Sequence, residues 1–353
     1  MPKERLFFID FMKAICIIAV VFFHSSFVPI STYQSSAVAL NILSAPLRFC
    51  VPVLLGISFF LLARSTNENI QPKAIIIRQR IKRLLIPTLF WFGIGIIKLI
   101  VQGKSFGEIV NKTIVGEGFT GAYYLLILFQ LIPLALILNN HLRRKTTILV
   151  ALLFQGLIYW VIQSSIKTSS IQSSDLFLLR SIGRPLLIYW FAYVALGIGI
   201  YQNFSVFLKL SHKLSKLKKF SLIGGLGVAL MIEYVYLIQL LDNRVPPFEY
   251  VMYSCLLSVP IVFLCCTSIE AKDFPIWAQQ IILLLSKYSL GIFCINGILS
   301  QVFLSFGSKW LQSYMFSFPE ILAIRILSWG CLLVLSLYSS IMLNKIGMKK
   351  VVC

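Results

Sequence analysis

Charge is what this chain has least of. Only 12% of its 353 residues are Asp, Glu, Lys or Arg, and only 12 residues are acidic. An ordinary soluble domain runs about 25% charged and about 45–50% apolar. At 58% hydrophobic, this chain has too few polar residues to cover a water-soluble fold, and too much apolar content to stay disordered. A soluble enzyme and a disordered chain are both excluded. Paired CxxC spacings are absent, so the eight cysteines (Cys16, Cys50, Cys255, Cys265, Cys266, Cys294, Cys331 and Cys353) do not read as a metal site. Packing in an apolar interior is the expectation for them, and no metal is expected. Persistent two-residue alternation is also absent, which argues against a membrane barrel. There is no low-complexity tail, no appended soluble domain and no clear internal repeat.

What is present is a series of long apolar runs. A bilayer core takes about 20 apolar residues as a helix. Ten such stretches occur, at roughly 7–28, 42–63, 84–102, 122–138, 148–166, 183–203, 221–241, 248–267, 281–304 and 319–343. The expected fold is therefore all-α: a polytopic membrane protein of about ten transmembrane helices, in a single domain over residues 1–353. The first stretch carries Asp10 and Lys13 and lacks a small-residue cleavage site, so it reads as a retained helix rather than a signal peptide.

The net charge of +20 would point to nucleic acid in a soluble protein. Here its distribution points to topology instead, and no nucleic-acid partner is expected. With the N-terminus inside, 20 of the 32 basic residues fall in inner segments and six in outer ones. The inner set includes Lys3, Arg5, Arg64, Lys73, Arg78, Arg80, Lys82, Arg83 and Arg143; the outer set includes Arg180 and Arg244. Basic residues accumulate on the cytoplasmic side, so both termini are expected there.

Ionisable groups at bilayer depth are expensive and mark functional sites by default. Asp10, Lys13 and His24 share the first apolar run. Eleven residues of α-helix turn through about three full revolutions plus 20°, so Lys13 and His24 lie on one face, about 16 Å apart along the axis. Asp10, three residues before Lys13, is placed to pair with it. His24 is the only histidine in any span, since His141 and His212 lie in basic loops. It is the candidate general base. A packed or interfacial histidine is the competing interpretation, and Lys13 could equally snorkel to the inner headgroups. The segment Arg78-Gln-Arg80-Ile-Lys82-Arg83 precedes Leu84-Leu-Ile-Pro87. Arg80 and Arg83 share a helix face there and suit phosphate groups, although an inner loop binding anionic lipid would look the same. Arg48, Arg184-Pro185, Glu233, Glu249 and Arg325 are further ionisable residues in or near spans whose partners the sequence does not assign.

Taken together, these pieces resemble the integral-membrane acyltransferases of family 3, which acylate sugars at the bacterial envelope. The resemblance covers essentially the whole chain. It rests on Asp10, Lys13 and His24 in FIDFMKAICIIAVVFFH, on RFCVPVLLGISFFLLARS from Arg48, on RQRIKRLLIP, on GAYYLLILFQL from Gly121, and on SLGIFCIN from Ser289. Two positions depart from the pattern: Lys13 stands where Arg is commoner, and Asn296 where a late histidine often lies. The resemblance implies an acyl-CoA-dependent O-acyltransferase of the bacterial cytoplasmic membrane, with acetyl-CoA or succinyl-CoA as donor. Its acceptor would be a hydroxyl of an extracytoplasmic glycan, an envelope saccharide or exopolysaccharide. It further implies His24 as general base with Lys13 and Asp10 beside it, and Arg80, Arg83 and Arg48 as donor-binding residues. Membrane lipids, and the machinery of polysaccharide synthesis, are the other expected partners. Two other readings stay open. One is a transporter of a saccharide or small solute that uses the intramembrane charges. The other is a non-catalytic subunit of a polysaccharide synthesis complex.

Overall fold

Away from water, a long apolar run satisfies its backbone by bonding within itself as a helix. The computed structural model describes residues 5–68, 72–142, 144–167, 189–241 and 249–353, and no strand occurs among them. Lys3, Arg143, Arg180, Arg184, Pro185 and Arg244 lie outside the described residues, as do the side chains of Lys73, Lys145 and Lys167.

The helices in chain order are α1 (Phe7–His24), α2 (Gln34–Ser44), α3 (Cys50–Glu68), α4 (Lys73–Val101), α5 (Phe106–Ile114), α6 (Tyr123–Ile137), α7 (Asn139–Leu142) and α8 (Lys145–Lys167). They continue with α9 (Phe191–Gln202), α10 (Phe204–Lys213), α11 (Lys216–Leu240), α12 (Tyr253–Cys266), α13 (Ile276–Lys287), α14 (Ser289–Leu311), α15 (Phe318–Lys345) and α16 (Lys349–Val352). Among the described residues, seven helical segments are long and apolar enough to cross a bilayer. The number is eight if α9 and α10, bent by 79° about Asn203, count as one span. The chain is thus an all-helical, multi-pass membrane protein. The two remaining apolar stretches form α6 and α12, of 15 and 14 residues, each with an internal proline, Pro133 and Pro260. At 1.5 Å per residue such helices fall short of a hydrocarbon core of about 30 Å.

Several boundaries depart from the sequence expectation, among them the start of α4 at Lys73 and the break between α13 and α14 at Tyr288, and two others shape the site. The first helix ends at His24 rather than near residue 28. The Ser25 hydroxyl and backbone N–H both donate to the Phe22 carbonyl, at 2.6 and 3.2 Å, and close the last turn. The second apolar stretch begins earlier than expected. α2, a 3-10 turn over Ala45–Phe49 and α3 form a helical run from Gln34 to Glu68. Pro46 opens that turn, where its missing N–H costs nothing. The turn positions Arg48.

α1 occupies the centre of the bundle, with α3, α13, α14 and α15 packed around it. Met12, Cys16 and Val21 on α1 are fully buried. α3 and α9 approach until a β-carbon on Gly197 would stand 2.5 Å from the Gly56 carbonyl oxygen. Small residues permit that backbone contact, which supplies much of helix association in lipid. The main buried cluster runs from Phe8 to Val352, because α16 folds back and the Val351 carbonyl accepts a 2.9 Å bond from the Trp91 indole.

α5 is built differently. Ser105 and Glu108 form a capping box at its start, and Phe106, Val110 and Ile114 leave one apolar stripe exposed at four-residue spacing. The Ser105 N–H and Lys104 hold the Glu108 carboxyl below the usual range.

Candidate active site

Two cavities lie at opposite ends of α1. The one at its N-terminal end encloses about 280 Å³ and is lined by Arg5, Asp10, Lys13, Arg64, Ser65 and Arg80, among others. It draws on the start of α1, the end of α3 and the first half of α4. Asp10 pairs with Arg5 at 2.6 Å and accepts from the Ser286 hydroxyl at 2.5 Å. The expected Asp10–Lys13 pair is therefore replaced. Arg5, in the extended segment before α1, reaches the carboxylate with a two-pronged guanidinium, through Nε and Nη2. The Asp10 pairing holds the Arg5 guanidinium above its ordinary pKa. Arg64 is held by Glu68 one turn on, at 2.8 Å. Lys13 and Arg80 have no acidic partner among the described residues, and both are half-buried. The cavity wall therefore carries four cationic side chains, Arg5, Lys13, Arg64 and Arg80, against the single carboxylate of Asp10. Arg83 lies on the exposed side of α4 and does not line it.

The cavity at the C-terminal end of α1 encloses about 420 Å³. His24, Arg48, Glu117, Tyr123, Glu249 and Gln301 are among the polar residues of its wall. His24 Nδ1 lies 2.6 Å from Asn296 Nδ2 on α14, and Asn296 is fully buried behind the ring. The His24 ring makes no other hydrogen bond among the described residues. Nε2 is thus the nitrogen left for the cavity. Arg48 pairs with Glu249 at 2.8 Å and stacks over Tyr234, its guanidinium carbon 4.0 Å from the ring centre. It stands with His24, at the opposite end from Arg80 and Arg83, and so does not join them in one anion site.

The loop between α5 and α6 forms the floor. Gly121 adopts a φ of +90°, a conformation that favours glycine, and packs against both the His24 and Phe293 rings. Lys98 donates to the Gly118 carbonyl at 3.0 Å and bonds the Gln301 side chain, which donates in turn to the Thr120 hydroxyl at 3.1 Å. Thr120 N–H donates to the Gly297 carbonyl at 3.3 Å. A β-carbon on Gly297 would stand 2.2 Å from the Thr120 carbonyl oxygen. The loop, α4 and α14 are therefore joined by polar contacts around the cavity.

A family model described as an acyltransferase domain matches residues 6–345. The chain belongs to acyltransferase family 3. No curated protein and no solved structure matches it. As a member of that family it is a membrane acyltransferase. Among the described residues of this acyltransferase, no three His, Cys, Asp or Glu side chains gather as a metal site.

The structure also sorts the charges that the sequence left without partners. Glu233 on α11 caps the start of α12, accepting from the Tyr253 and Ser254 backbone N–H groups at 2.9 and 2.8 Å. Glu249 holds Arg48. Arg325 lies buried with its guanidinium carbon 5.2 Å from the Phe22 ring centre, and its Nε has no hydrogen-bond partner. Glu117, Gln301 and Lys98 gave no motif to notice. The one available signal was their scarcity, since Lys98 is a charge within an apolar run and Glu117 is one of 12 acidic residues.

Proposed function

We propose that this acyltransferase moves an acetyl or succinyl group from cytoplasmic acyl-CoA to a hydroxyl of an envelope saccharide or exopolysaccharide. The carrying observation is the pairing of two different cavities on one helix. A predominantly cationic cavity with Lys13 and Arg80 in its wall opens at one end of α1, and His24 lines another at the far end. A nucleotide donor with several phosphates suits the first, because charge-assisted bonds to phosphate relieve buried like charges. Arg83, on the exposed side of α4, adds cationic charge near Arg80. Asp10 orders Arg5 in its wall. Both termini are on the cytoplasmic side, in the bacterial cytoplasmic membrane. The gathering of Arg5, Arg64 and Arg80 at one end of the bundle supports that orientation.

At the far end, His24 Nε2 takes the proton of the acceptor hydroxyl. The oxygen attacks the thioester carbonyl, the carbon–sulfur bond breaks, and the CoA thiolate leaves with the proton that His24 has collected. An ester and free CoA result. Lys13 and His24 are about 16 Å apart along the axis. Cys16, Ile17 and Val20 fill the face between them and are buried. The acyl arm therefore reaches His24 only when this seam of α1 parts from its neighbours.

The test is CoA release by protein purified in detergent, supplied with acetyl-CoA or succinyl-CoA and an envelope glycan. Release by wild type that is lost in His24→Ala supports the proposal. Release that survives in His24→Ala removes the base. Saccharide flux across liposomes with neither binding nor turnover of acyl-CoA would replace the enzyme with a carrier.

A further inference from the structure

An imidazole can act as a base only at a nitrogen that carries no proton. In neutral histidine one ring nitrogen holds a proton and the other a lone pair, and the hydrogen bond at one decides the state of the other. Asn296 reaches Nδ1 of His24 at 2.6 Å. A half-turn of its amide exchanges the positions of oxygen and nitrogen. With Nδ2 facing the ring, the amide donates to Nδ1. The ring proton then sits on Nε2, and no lone pair faces the cavity. With Oδ1 facing the ring, the amide accepts from Nδ1–H, and Nε2 is left basic.

Two observations separate these arrangements. The contact of 2.6 Å is short even for N–H···O, whose usual range is about 2.7–3.2 Å, and two nitrogens would be more crowded than a nitrogen and an oxygen. In addition, with Nδ2 on the ring, Asn296 Oδ1 is buried without a hydrogen-bond partner, whereas turning the amide gives that oxygen the Nδ1 proton. The residues on either side of Asn296 are closely packed. The next residue, Gly297, lies against the Thr120 carbonyl, and Phe293 one turn earlier packs on His24 with ring centres 6.4 Å apart.

We propose that Asn296 is a positioning residue, its side-chain oxygen holding the Nδ1 proton of His24 so that Nε2 faces the acceptor as a base. This role rests on His24 being the base. It also gives a purpose to an amide where a second ionisable group would carry charge into the core. Asn296 touches neither substrate nor reacting atoms, and it acts only through the ring.

The tautomer can be read without turnover. Full-length protein in nanodiscs is labelled with 15N-histidine, with His141→Gln and His212→Gln so that His24 alone reports. The 15N resonances distinguish a protonated from an unprotonated ring nitrogen. Wild type is expected to show Nδ1 protonated and Nε2 bare, and Asn296→Ala to show a mixture of the two tautomers. Turnover is expected to fall about 10- to 100-fold in Asn296→Ala, in kcat with little change in KM for acyl-CoA, as the loss of a residue that orients a histidine does elsewhere. Asn296→Asp keeps the acceptor oxygen and should restore most of the rate, with the acid limb of the pH profile moved to higher pH by the added negative charge. Nε2 protonated in wild type overturns the role, and so does an unchanged kcat in Asn296→Ala. Should Asn296→Ala fail to fold, the wild-type spectrum alone decides. Activity surviving in His24→Ala removes the base, while the tautomer measured in wild type still reports on the contact, so the two failures are distinguishable.

Discussion

Arg48 and Glu249 lie 201 positions apart in the chain and pair at 2.8 Å, with side chains only 8% and 12% exposed. Each comes from a short 3-10 turn, one leading into α3 and the other into α12. The pair ties the entrance of two helices together beside His24. Breaking a buried pair leaves the surviving charge uncompensated, at about 3–5 kcal/mol. Glu249→Gln should therefore lower the melting temperature in detergent sharply. A Tm within 1–2 °C of wild type, the mark of a change well below about 1 kcal/mol, would show the pair to be dispensable.

His24→Gln should abolish transfer while leaving donor binding intact, because the proposed phosphate site is at the other end of α1. General-base catalysis contributes about 100- to 10,000-fold. Calorimetric titration with a non-reactive acyl-CoA analogue, beside the turnover assay, separates the two effects.

Arg80 and Arg83 should not behave alike. Arg80 lines the cavity with Lys13, whereas Arg83 faces outward. A charge-assisted hydrogen bond is worth about 1.5–3 kcal/mol, so Arg80→Ala should weaken acyl-CoA binding about 10- to 100-fold. Arg83→Ala should change it by roughly threefold or less, as an exposed charge does. Equal effects from the two variants would count against a defined site.

The packed seam over Cys16 gives a reporter of opening. With the other seven cysteines replaced, Cys16 should resist a membrane-permeant maleimide in the free protein, since it is fully buried. Labelling should accelerate when an acyl-CoA analogue is bound. The same slow rate in both states would mean that the donor reaches His24 by another route.

The apolar runs made the helical membrane fold legible, because the 20-residue scale of a bilayer and the backbone's need for internal bonds leave few alternatives. Helix periodicity likewise put Lys13 and His24 on one face, since that relation is local. Relations between distant segments stayed out of reach. Asp10 is three residues from Lys13, yet Arg5 holds it, because Arg5 precedes the helix and turns a two-pronged guanidinium onto the carboxylate. Arg48 read as a donor-site residue from its place in a motif, and only the bundle shows that it stands at the opposite end from Arg80. Asn296 stands where the family pattern often has a histidine, and only its distance from His24 gives it a use.

The glycine beside it has a consequence of its own. Position 297 is a keyway: the Thr120 carbonyl slides into the space that a side chain would fill, and only one axial setting of α14 offers that slot. Gly297→Ala should therefore disturb alignment before it disturbs stability, moving Asn296 off the ring and degrading catalysis in a protein that still inserts and folds. A residue with no side chain thus acts as the gauge block that sets Asn296 against the His24 ring.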